Sequence, residues 1–128
     1  MKFPTDRKYS ETHEWFLLDD DLVTMGITQF AADELTDITF VELPDVGTKV
    51  KPGDSVGEVE SVKATSEIFT AVGGSIAEVN TALVDHPELI NDDAFEEGWI
   101  ARIRPDSLDS LGTLLDAKEY KTFIRNAG

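Results

Sequence analysis

The stretch "GEVESVKATSEIF", residues 57–69, places a single lysine, Lys63, between two strand-like runs. Each run is short and contains β-branched residues, and the small residue Ala64 follows the lysine. Two such runs with a short break predict an antiparallel hairpin with Lys63 at its tip, where a side chain projects away from the body. A cation at this tip needs an explanation, because glutamates surround it at positions 58, 60 and 67.

Similar β-branched runs continue outward from this hairpin in both directions. The runs span residues 22–27, 38–44, 55–62, 66–72, 75–80 and 99–103. Turn-forming residues separate several of them, at "PDVG" (44–47), "KPGD" (51–54) and "GG" (73–74). Regularly spaced short strands with such turns predict a mainly β fold, a flattened barrel or sandwich of two antiparallel sheets.

Two helical segments interrupt or close this pattern. In "TQFAADEL" (28–35), Thr28 is the predicted N-cap of a short internal helix. The C-terminal helical segment, about 106–126, contains two more predicted helices. Their predicted starting residues are Asp106 or Ser107 for the first and Asp116 with Glu119 for the second. One face of the second helix carries Ala117, Tyr120, Phe123 and Ile124, and we expect these helices to cover an open side of the sheets.

Two stretches on either side of Lys63 share a faint scheme. "VGTKVKPGDSV" (46–56) and "VNTALVDHPEL" (79–89) both contain a valine, a turn residue, a threonine, an aliphatic residue and later a proline. The scheme indicates two related halves joined at the lysine, and a chance similarity is equally compatible with it.

Composition narrows the classes of function. The chain has 128 residues, 41% of them apolar, which predicts a single domain over 1–128 with a modest core. Eleven Lys and Arg against 26 Asp and Glu give a net charge of −15, which repels nucleic acid and anionic membrane surfaces. We therefore expect protein partners with basic or mixed surfaces, although the charge is also compatible with simple solubility.

The chain contains no cysteine, which excludes disulfides, thiolate metal sites and a cysteine nucleophile. Any sulfur redox chemistry therefore needs a sulfur from a bound group. No run reaches the roughly 20 apolar residues of a membrane span, and "MKFPTDRKYS" lacks the apolar region of a secretory signal. We expect a soluble protein, cytoplasmic in a bacterium or in the mitochondrial matrix if the chain is a mature eukaryotic form.

Three roles are open to Lys63. The first is an ordinary surface lysine, loosely paired with its glutamates. The second is a catalytic amine, which the acidic neighbours disfavour because they stabilise the inert ammonium. The third is an attachment point, since acylation turns the amine into a neutral amide and extends the side chain into a flexible tether. A tethered group visits several active sites at high effective concentration, and a hairpin tip suits the enzyme that attaches it.

The residues around Lys63 carry a specific resemblance. "ESVKATSEIF" resembles the lipoylation site of the glycine cleavage system H protein family, and other matching blocks cover nearly the whole chain. These blocks are "HEW" (13–15), "GIT" (26–28), "FVELPDVG" (40–47), "EVN" (78–80), "PELIN" (87–91), "GW" (98–99) and "AKEY" (117–120). The resemblance implies a lipoyl-domain-like barrel-sandwich hybrid fold and a covalent lipoate on Lys63, as N6-lipoyllysine.

Other carriers differ from this chain at the hairpin tip. Lipoyl domains of the 2-oxo acid dehydrogenases typically have aspartate before the lysine, and biotin carriers typically have methionine on both sides. Here the neighbours are Val62 and Ala64, so a biotin carrier is the weaker alternative. Another alternative is a lipoyl-relay or regulatory protein that donates lipoate to other enzymes, or a binding module that retains only the fold.

The resemblance implies a non-catalytic carrier with several enzyme partners. In this family the arm takes an aminomethyl group from glycine decarboxylase and delivers it to aminomethyltransferase, and dihydrolipoamide dehydrogenase reoxidises its dithiol. A lipoate ligase or lipoyltransferase attaches the arm. The sequence contains no nucleophile–base pair, metal cluster or phosphate loop that indicates an enzyme acting alone. We expect a monomer.

The resemblance also implies a cleft that holds the loaded arm, with Thr12, Glu14 and Glu67 at the matching positions. Acidic and hydroxyl groups can hold an ammonium by charge-assisted hydrogen bonds. Each residue has a plainer interpretation, in which Thr12 begins a strand, Glu14 is an exposed acid and Glu67 pairs with Lys63.

The remaining candidates have structural interpretations. We expect His13 to be packed and hydrogen-bonded, and Trp15 and Trp99 to form core or cleft wall. His86 is far from His13 in sequence and next to a proline, so the two histidines make no recognisable metal site. Glu34 stands where relatives can carry a histidine near the arm, so the resemblance assigns it no role in holding the amine.

Overall fold

The structure, a computed structural model, describes residues 3–127 and consists mainly of β-strands. Residues 1, 2 and 128, which the expected domain boundaries include, lie outside the described residues. The strands are β1 (Lys8–Tyr9), β2 (Glu14–Asp19), β3 (Leu22–Ile27), β4 (Ile38–Glu42), β5 (Lys49–Val50), β6 (Ser55–Ser61), β7 (Thr65–Phe69), β8 (Gly74–Val79) and β9 (Ala101–Pro105). The helices are α1 (Gln29–Leu35), α2 (Ala82–Asp85), α3 (Leu89–Asp92), a 3-10 helix (Asp109–Thr113) and α4 (Ala117–Ala127).

The strands form two antiparallel sheets. The larger sheet has the order β1-β2-β3-β9-β8-β5, and the smaller has the order β4-β6-β7. The predicted mainly β architecture of two antiparallel sheets is confirmed, and the sheets form an open sandwich rather than a closed barrel. In the smaller sheet, Glu60 pairs with Thr65 beside the predicted hairpin turn, so β6 and β7 meet at Lys63.

Two hydrophobic clusters fill the interior. The main cluster draws residues from both sheets, including Val23, Ile76 and Ile103 from the larger and Val41, Val59 and Ile68 from the smaller. The second is aromatic and joins Tyr9 and Trp15 to Tyr120 on α4. The predicted apolar face of the C-terminal helix therefore packs against the outside of the larger sheet, with Phe123 and Ile124 partly buried against the same cluster.

Local signals correctly predict how α1 and α4 begin. The Thr28 side chain accepts from the N–H of Ala31 at 3.2 Å and caps α1. Asp116 and Glu119 form a reciprocal capping pair at the start of α4. The Asp116 carboxylate accepts from the N–H of Glu119 at 2.8 Å, and the Glu119 carboxylate accepts from the N–H of Asp116 at 2.9 Å. The helix expected to begin at Asp106 or Ser107 is instead the 3-10 helix at Asp109–Thr113. No helix among the described residues is both long and apolar enough to cross a membrane.

Some elements differ from the sequence prediction. Strands β1, β2 and β5 and helices α2 and α3 were not predicted. β2 lacks the expected alternation because both of its faces are covered: Trp15 lies in the aromatic cluster and Phe16 in the main core. The two stretches that share a sequence scheme also differ, since 46–56 contains β5 whereas 79–89 contains α2, so the scheme does not correspond to a structural repeat.

Strand β6 approaches β4 closely enough to require a residue without a side chain. A Cβ at Gly57 would lie 2.3 Å from the backbone oxygen of Glu42. We expect Gly57→Ala to push β4 and β6 apart and to lower the free energy of unfolding by about 1–3 kcal/mol, the typical cost of overpacking. Urea unfolding followed by circular dichroism measures this change.

Gly112→Ala is the matched control. A Cβ at Gly112 meets no atom within 4 Å, and its φ is not in the left-handed region. We expect its unfolding midpoint to stay close to that of the original protein. An equal loss of stability in both variants would contradict the close-approach argument, because it would point to a general effect of replacing glycine.

Candidate functional site

The hairpin tip is a four-residue turn from Ser61 to Ala64, and the Ser61 side chain stabilises it. The backbone N–H of Ser61 donates to the carbonyl of Ala64 at 2.8 Å. The Ser61 hydroxyl accepts from the N–H groups of Lys63 at 3.1 Å and Ala64 at 3.0 Å. These hydrogen bonds fix the backbone of the turn. Lys63 is exposed on this turn.

The Lys63 amine points toward the end of α1. Its Nζ donates to the backbone carbonyl of Glu34 at 3.1 Å. Glu34 lies in the last turn of that helix, where unpaired carbonyls attract cations. The described residues show no ion pair between Lys63 and Glu67, which was the plainer interpretation of Glu67.

A cavity of about 470 Å³ lies between α1, the start of β2 and the β6–β7 hairpin. This volume is within the range of about 300–1,000 Å³ that is typical of small-ligand pockets. The lining combines apolar side chains with three carboxylates and contains no Lys or Arg. It consists of Thr12, His13, Glu14, Ile27, Phe30, Ala31, Glu34, Leu35, Val59, Ser66 and Glu67. Such a cavity suits an apolar chain that ends in a cation.

Glu14 is the most deeply placed acid of this cavity. Only 1% of it is exposed, so the interpretation as an ordinary exposed acid is wrong. Its Oε1 accepts from the hydroxyl of Ser10 at 2.6 Å and from the hydroxyl of Thr12, and its Oε2 accepts from the N–H of Phe69 at 3.1 Å. Burial raises the pKa of Glu14, and these three hydrogen bonds oppose the rise because they stabilise the carboxylate.

Thr12, Glu14 and Glu67 line the same cavity. Thr12 and Glu67 are exposed, whereas Glu14 is buried behind them. Thr12 lies in the turn before β2 and does not begin a strand. Lys63 does not line the cavity, but its Nζ contacts the backbone of Glu34, a residue that does line it. The turn that carries Lys63 therefore lies beside the cavity.

A second cavity, of about 490 Å³, lies on the far side of Glu14. It is lined by residues at the open end of the hairpin, such as Gly53 and Thr70, rather than by residues near the tip. Glu14 is the only acid in its lining. Position and charge therefore both favour the cavity beside Lys63 as the functional one.

His13 is packed and hydrogen-bonded, and it connects the cavity wall to α4. Its Nδ1 lies 2.7 Å from the hydroxyl of Tyr120, which lies 2.8 Å from the hydroxyl of Thr28. Burial lowers the pKa of His13, and the nearby carboxylate of Glu34 partly opposes this, so the ring is neutral at pH 7. Burial also raises the pKa of Tyr120 to about 12, which keeps its hydroxyl protonated.

The other aromatic and histidine candidates lie away from the cavity lining. The buried indole N–H of Trp15 donates to the carbonyl of Ala94 at 3.0 Å. The guanidinium carbon of Arg102 lies over the ring of Trp99, 4.0 Å from the ring centroid. His86 is exposed next to Glu88, and no group among the described residues could hold a metal ion.

Three polar residues of the site were missed by the sequence analysis. Ser10 and Tyr120 support Glu14 and His13, and Ser61 closes the turn. Only Ser61 had a local signal, since serine two residues before the tip can accept hydrogen bonds from turn N–H groups. Ser10 and Tyr120 act through tertiary contacts, and Tyr120 lies 107 residues from its partner His13.

Comparison with known proteins identifies the family of this chain. A family model described as glycine cleavage H-protein matches residues 7–127. The glycine cleavage system H protein of Thermus thermophilus is 48% identical over 126 residues, covering 98% of each chain. That of Coprothermobacter proteolyticus is 49% identical over 125 residues, covering 97% of this chain and 98% of the relative.

A solved structure extends the likeness to three dimensions. The crystal structure of a glycine cleavage system H protein from Mycobacterium marinum matches with a TM-score of 0.88 and 40% sequence identity. The match covers 98% of this chain and 100% of the other. Family model, sequence and structure agree over nearly the whole chain, which therefore belongs to the glycine cleavage H-protein family.

Proposed function

We propose that this protein is the lipoyl-bearing carrier of the glycine cleavage system, with the lipoyl group attached to Lys63. The observation that carries the proposal is the position of Lys63 on an exposed turn beside an acid-lined cavity. When bound, the lipoyl group supplies a disulfide that can be reduced, loaded and reoxidised, chemistry that the side chains of this cysteine-free chain lack. The protein shuttles the aminomethyl group derived from glycine between the enzymes of the system.

Attachment requires the Lys63 nitrogen to act as a nucleophile. After losing a proton, Nζ forms an amide bond to the carboxyl carbon of lipoate activated as an acyl adenylate. The bond between that carbon and the phosphate oxygen breaks, and AMP leaves with the electron pair. A lipoate ligase provides the adenylate from lipoate and ATP, and a lipoyltransferase is the alternative donor. The exposed turn gives either enzyme access to the amine.

The three carboxylates of the cavity suit a cargo that carries an ammonium. Glu14, Glu34 and Glu67 place negative charge around one space that has no cation in its lining. Carboxylates at this short range favour the protonated form of an amine. Protonation withholds the nitrogen lone pair that would otherwise expel sulfur and release the one-carbon unit. Apolar lining residues such as Phe30 and Val59 exclude water and further restrict this loss.

The carboxylates also distinguish the proposed role from the alternatives. A protein that only relays lipoate has little need for an acidic cavity, since the lipoyl group itself carries no positive charge. A biotin carrier does not match the family to which the chain belongs. The aminomethyl carrier is therefore the function that the cavity supports best.

The carrier works with enzymes and supplies no catalysis of its own in this proposal. Its partners are glycine decarboxylase, aminomethyltransferase and dihydrolipoamide dehydrogenase, together with the enzyme that attaches lipoate. We assign residues 1–128 to one carrier domain that acts as a monomer in the cytoplasm. Contacts with each enzyme are weak and exchange rapidly, since one arm must be released repeatedly.

Lys63→Arg tests the attachment site. Arginine keeps the positive charge but offers no amine for acylation, so we expect complete loss of lipoylation and of glycine cleavage with an unchanged fold. Intact-mass and peptide mass spectrometry of protein from lipoate-supplied cells measure the modification, and circular dichroism checks the fold.

Lys51→Arg is the matched control, because Lys51 is also exposed in a turn. It should be lipoylated and active to the same extent as the original protein. An unmodified Lys63 in the original protein, or full glycine cleavage by the Lys63→Arg variant, would overturn the carrier role at this residue.

Glu67→Gln and Glu14→Gln test the cavity. Each change removes one negative charge, and the loss of a charge-assisted hydrogen bond to the cargo is worth about 1.5–3 kcal/mol. We therefore expect amine loss from the loaded protein to become roughly 10 to 100 times faster. The measurement is ammonia or formaldehyde release after loading by glycine decarboxylase.

Glu97→Gln removes the same charge from an exposed position outside the cavity lining and should leave the rate unchanged. Thermal unfolding separates a cavity effect from a folding effect for Glu14, which is buried. If both cavity variants hold the amine as long as the original protein does, the carboxylates have no protective role.

A further inference from the structure

The solvent-facing side of the smaller sheet is an exposed surface next to the hairpin tip. Val41 and Val59 are directly paired and buried, so their neighbours along each strand face outward. We call this surface the outer face, and its residues are Phe40, Glu42, Glu58, Glu60 and Thr65. Phe40 is 51% exposed, which makes it one of the exposed large apolar side chains of the protein.

Glutamates on the outer face lie directly opposite one another. Glu58 on the central strand pairs directly with Glu42 on β4. Like charges opposite each other in a sheet are destabilising. Strands β4, β6 and β7 contain no Lys or Arg to offset this repulsion. A binding partner with opposite charge would relieve this repulsion.

The larger sheet has a different charge pattern. There the Nη1 of Arg102 lies 2.7 Å from the Oε2 of Glu78, and the Nη1 of Arg104 lies 3.4 Å from the Oδ2 of Asp21. Acidic residues of that sheet are therefore partly neutralised within the chain. The contrast shows that the repulsion on the outer face does not simply follow from the acidic composition of the whole protein.

Lys63 is the only Lys or Arg between residues 52 and 101. An enzyme that docks on the outer face therefore finds this amine at the end of the same hairpin. Next to it, Val62 is 70% exposed and extends the apolar part of the surface to the tip. Charge, apolar contact and the target amine are thus continuous along β6 and its turn.

We propose that the outer face is the docking surface for the enzyme that attaches lipoate to Lys63. The complementary surface on that enzyme is basic and contains a shallow apolar depression for Phe40. This inference rests on the proposed function. The attaching enzyme is the partner that the surface fits best, because it alone meets the protein before modification and must recognise the chain itself rather than its prosthetic group.

Two variants test the docking surface. Glu42→Gln with Glu58→Gln removes two charges and relieves repulsion, so it does not weaken the sheet. Phe40→Ser removes the exposed apolar contact. With purified lipoate–protein ligase, lipoate and ATP, we expect each to lower kcat/KM for lipoylation roughly tenfold, mostly through KM. The double variant should also show a weaker dependence of KM on salt, since fewer charge contacts are available to screen.

Asp106→Asn with Asp109→Asn is the matched control, with the same change of net charge. Both residues are exposed, and the N–H of Asp106 donates to Gly73 at the end of the hairpin remote from the tip. We expect this variant to keep the original kcat/KM and salt dependence. An equal loss in the control would overturn the proposal, because it would show an effect of net charge alone.

The outcomes separate this inference from the carrier function. Normal lipoylation kinetics in both outer-face variants would overturn the docking surface while leaving Lys63 as the attachment site. If these variants are lipoylated normally but the lipoylated forms react slowly with aminomethyltransferase, the face binds a different partner and the proposal is wrong. If neither the ligase nor a lipoyltransferase modifies Lys63 of the original protein, the proposed function itself is overturned.

Discussion

The arrangement of this protein depends on one buried carboxylate, that of Glu14. Through Ser10 and Thr12 it stabilises the turn before β2, and through Phe69 it reaches the end of β7 in the other sheet. Burying a carboxylate without hydrogen bonds costs several kcal/mol. Three donors reduce that cost here, because they stabilise the carboxylate between the sheets. The same group thus joins the two sheets and supplies the charge at the base of the cavity.

Charge is distributed unevenly over the rest of the molecule, and this unevenness separates two regions. The larger sheet carries arginines paired with acids. Arg7 is buried next to its aromatic cluster, with the guanidinium carbon 4.7 Å from the ring centroid of Trp15. The smaller sheet and the cavity contain carboxylates and no Lys or Arg. The first region is stabilised by ion pairs within the chain, whereas the second carries negative charge that a bound cation would neutralise. Cargo and partner recognition therefore depend on the second region.

Local sequence signals predict those parts of the fold that local interactions determine. Thr28 and the Asp116–Glu119 pair were recognised because capping acts within one helical turn. β2 was missed because both of its faces are buried, which removes the alternation that identifies a strand. In the site, the family resemblance identified Glu14. Its buried carboxylate accepts from the N–H of Phe69, 55 residues away, and no local sequence pattern contains that contact.

The contact between Lys63 and the end of α1 connects the turn to the cavity. As an ammonium, Nζ donates to the Glu34 carbonyl and has two further N–H groups in solvent. Acylation removes the charge but leaves one N–H on the same nitrogen. That single donor can still bond to the Glu34 carbonyl, because the acceptor belongs to the backbone and does not depend on the side chain at position 34. An arm attached to Lys63 therefore begins beside the cavity wall. This placement depends on the backbone at position 34, so it does not require the histidine that relatives can carry there.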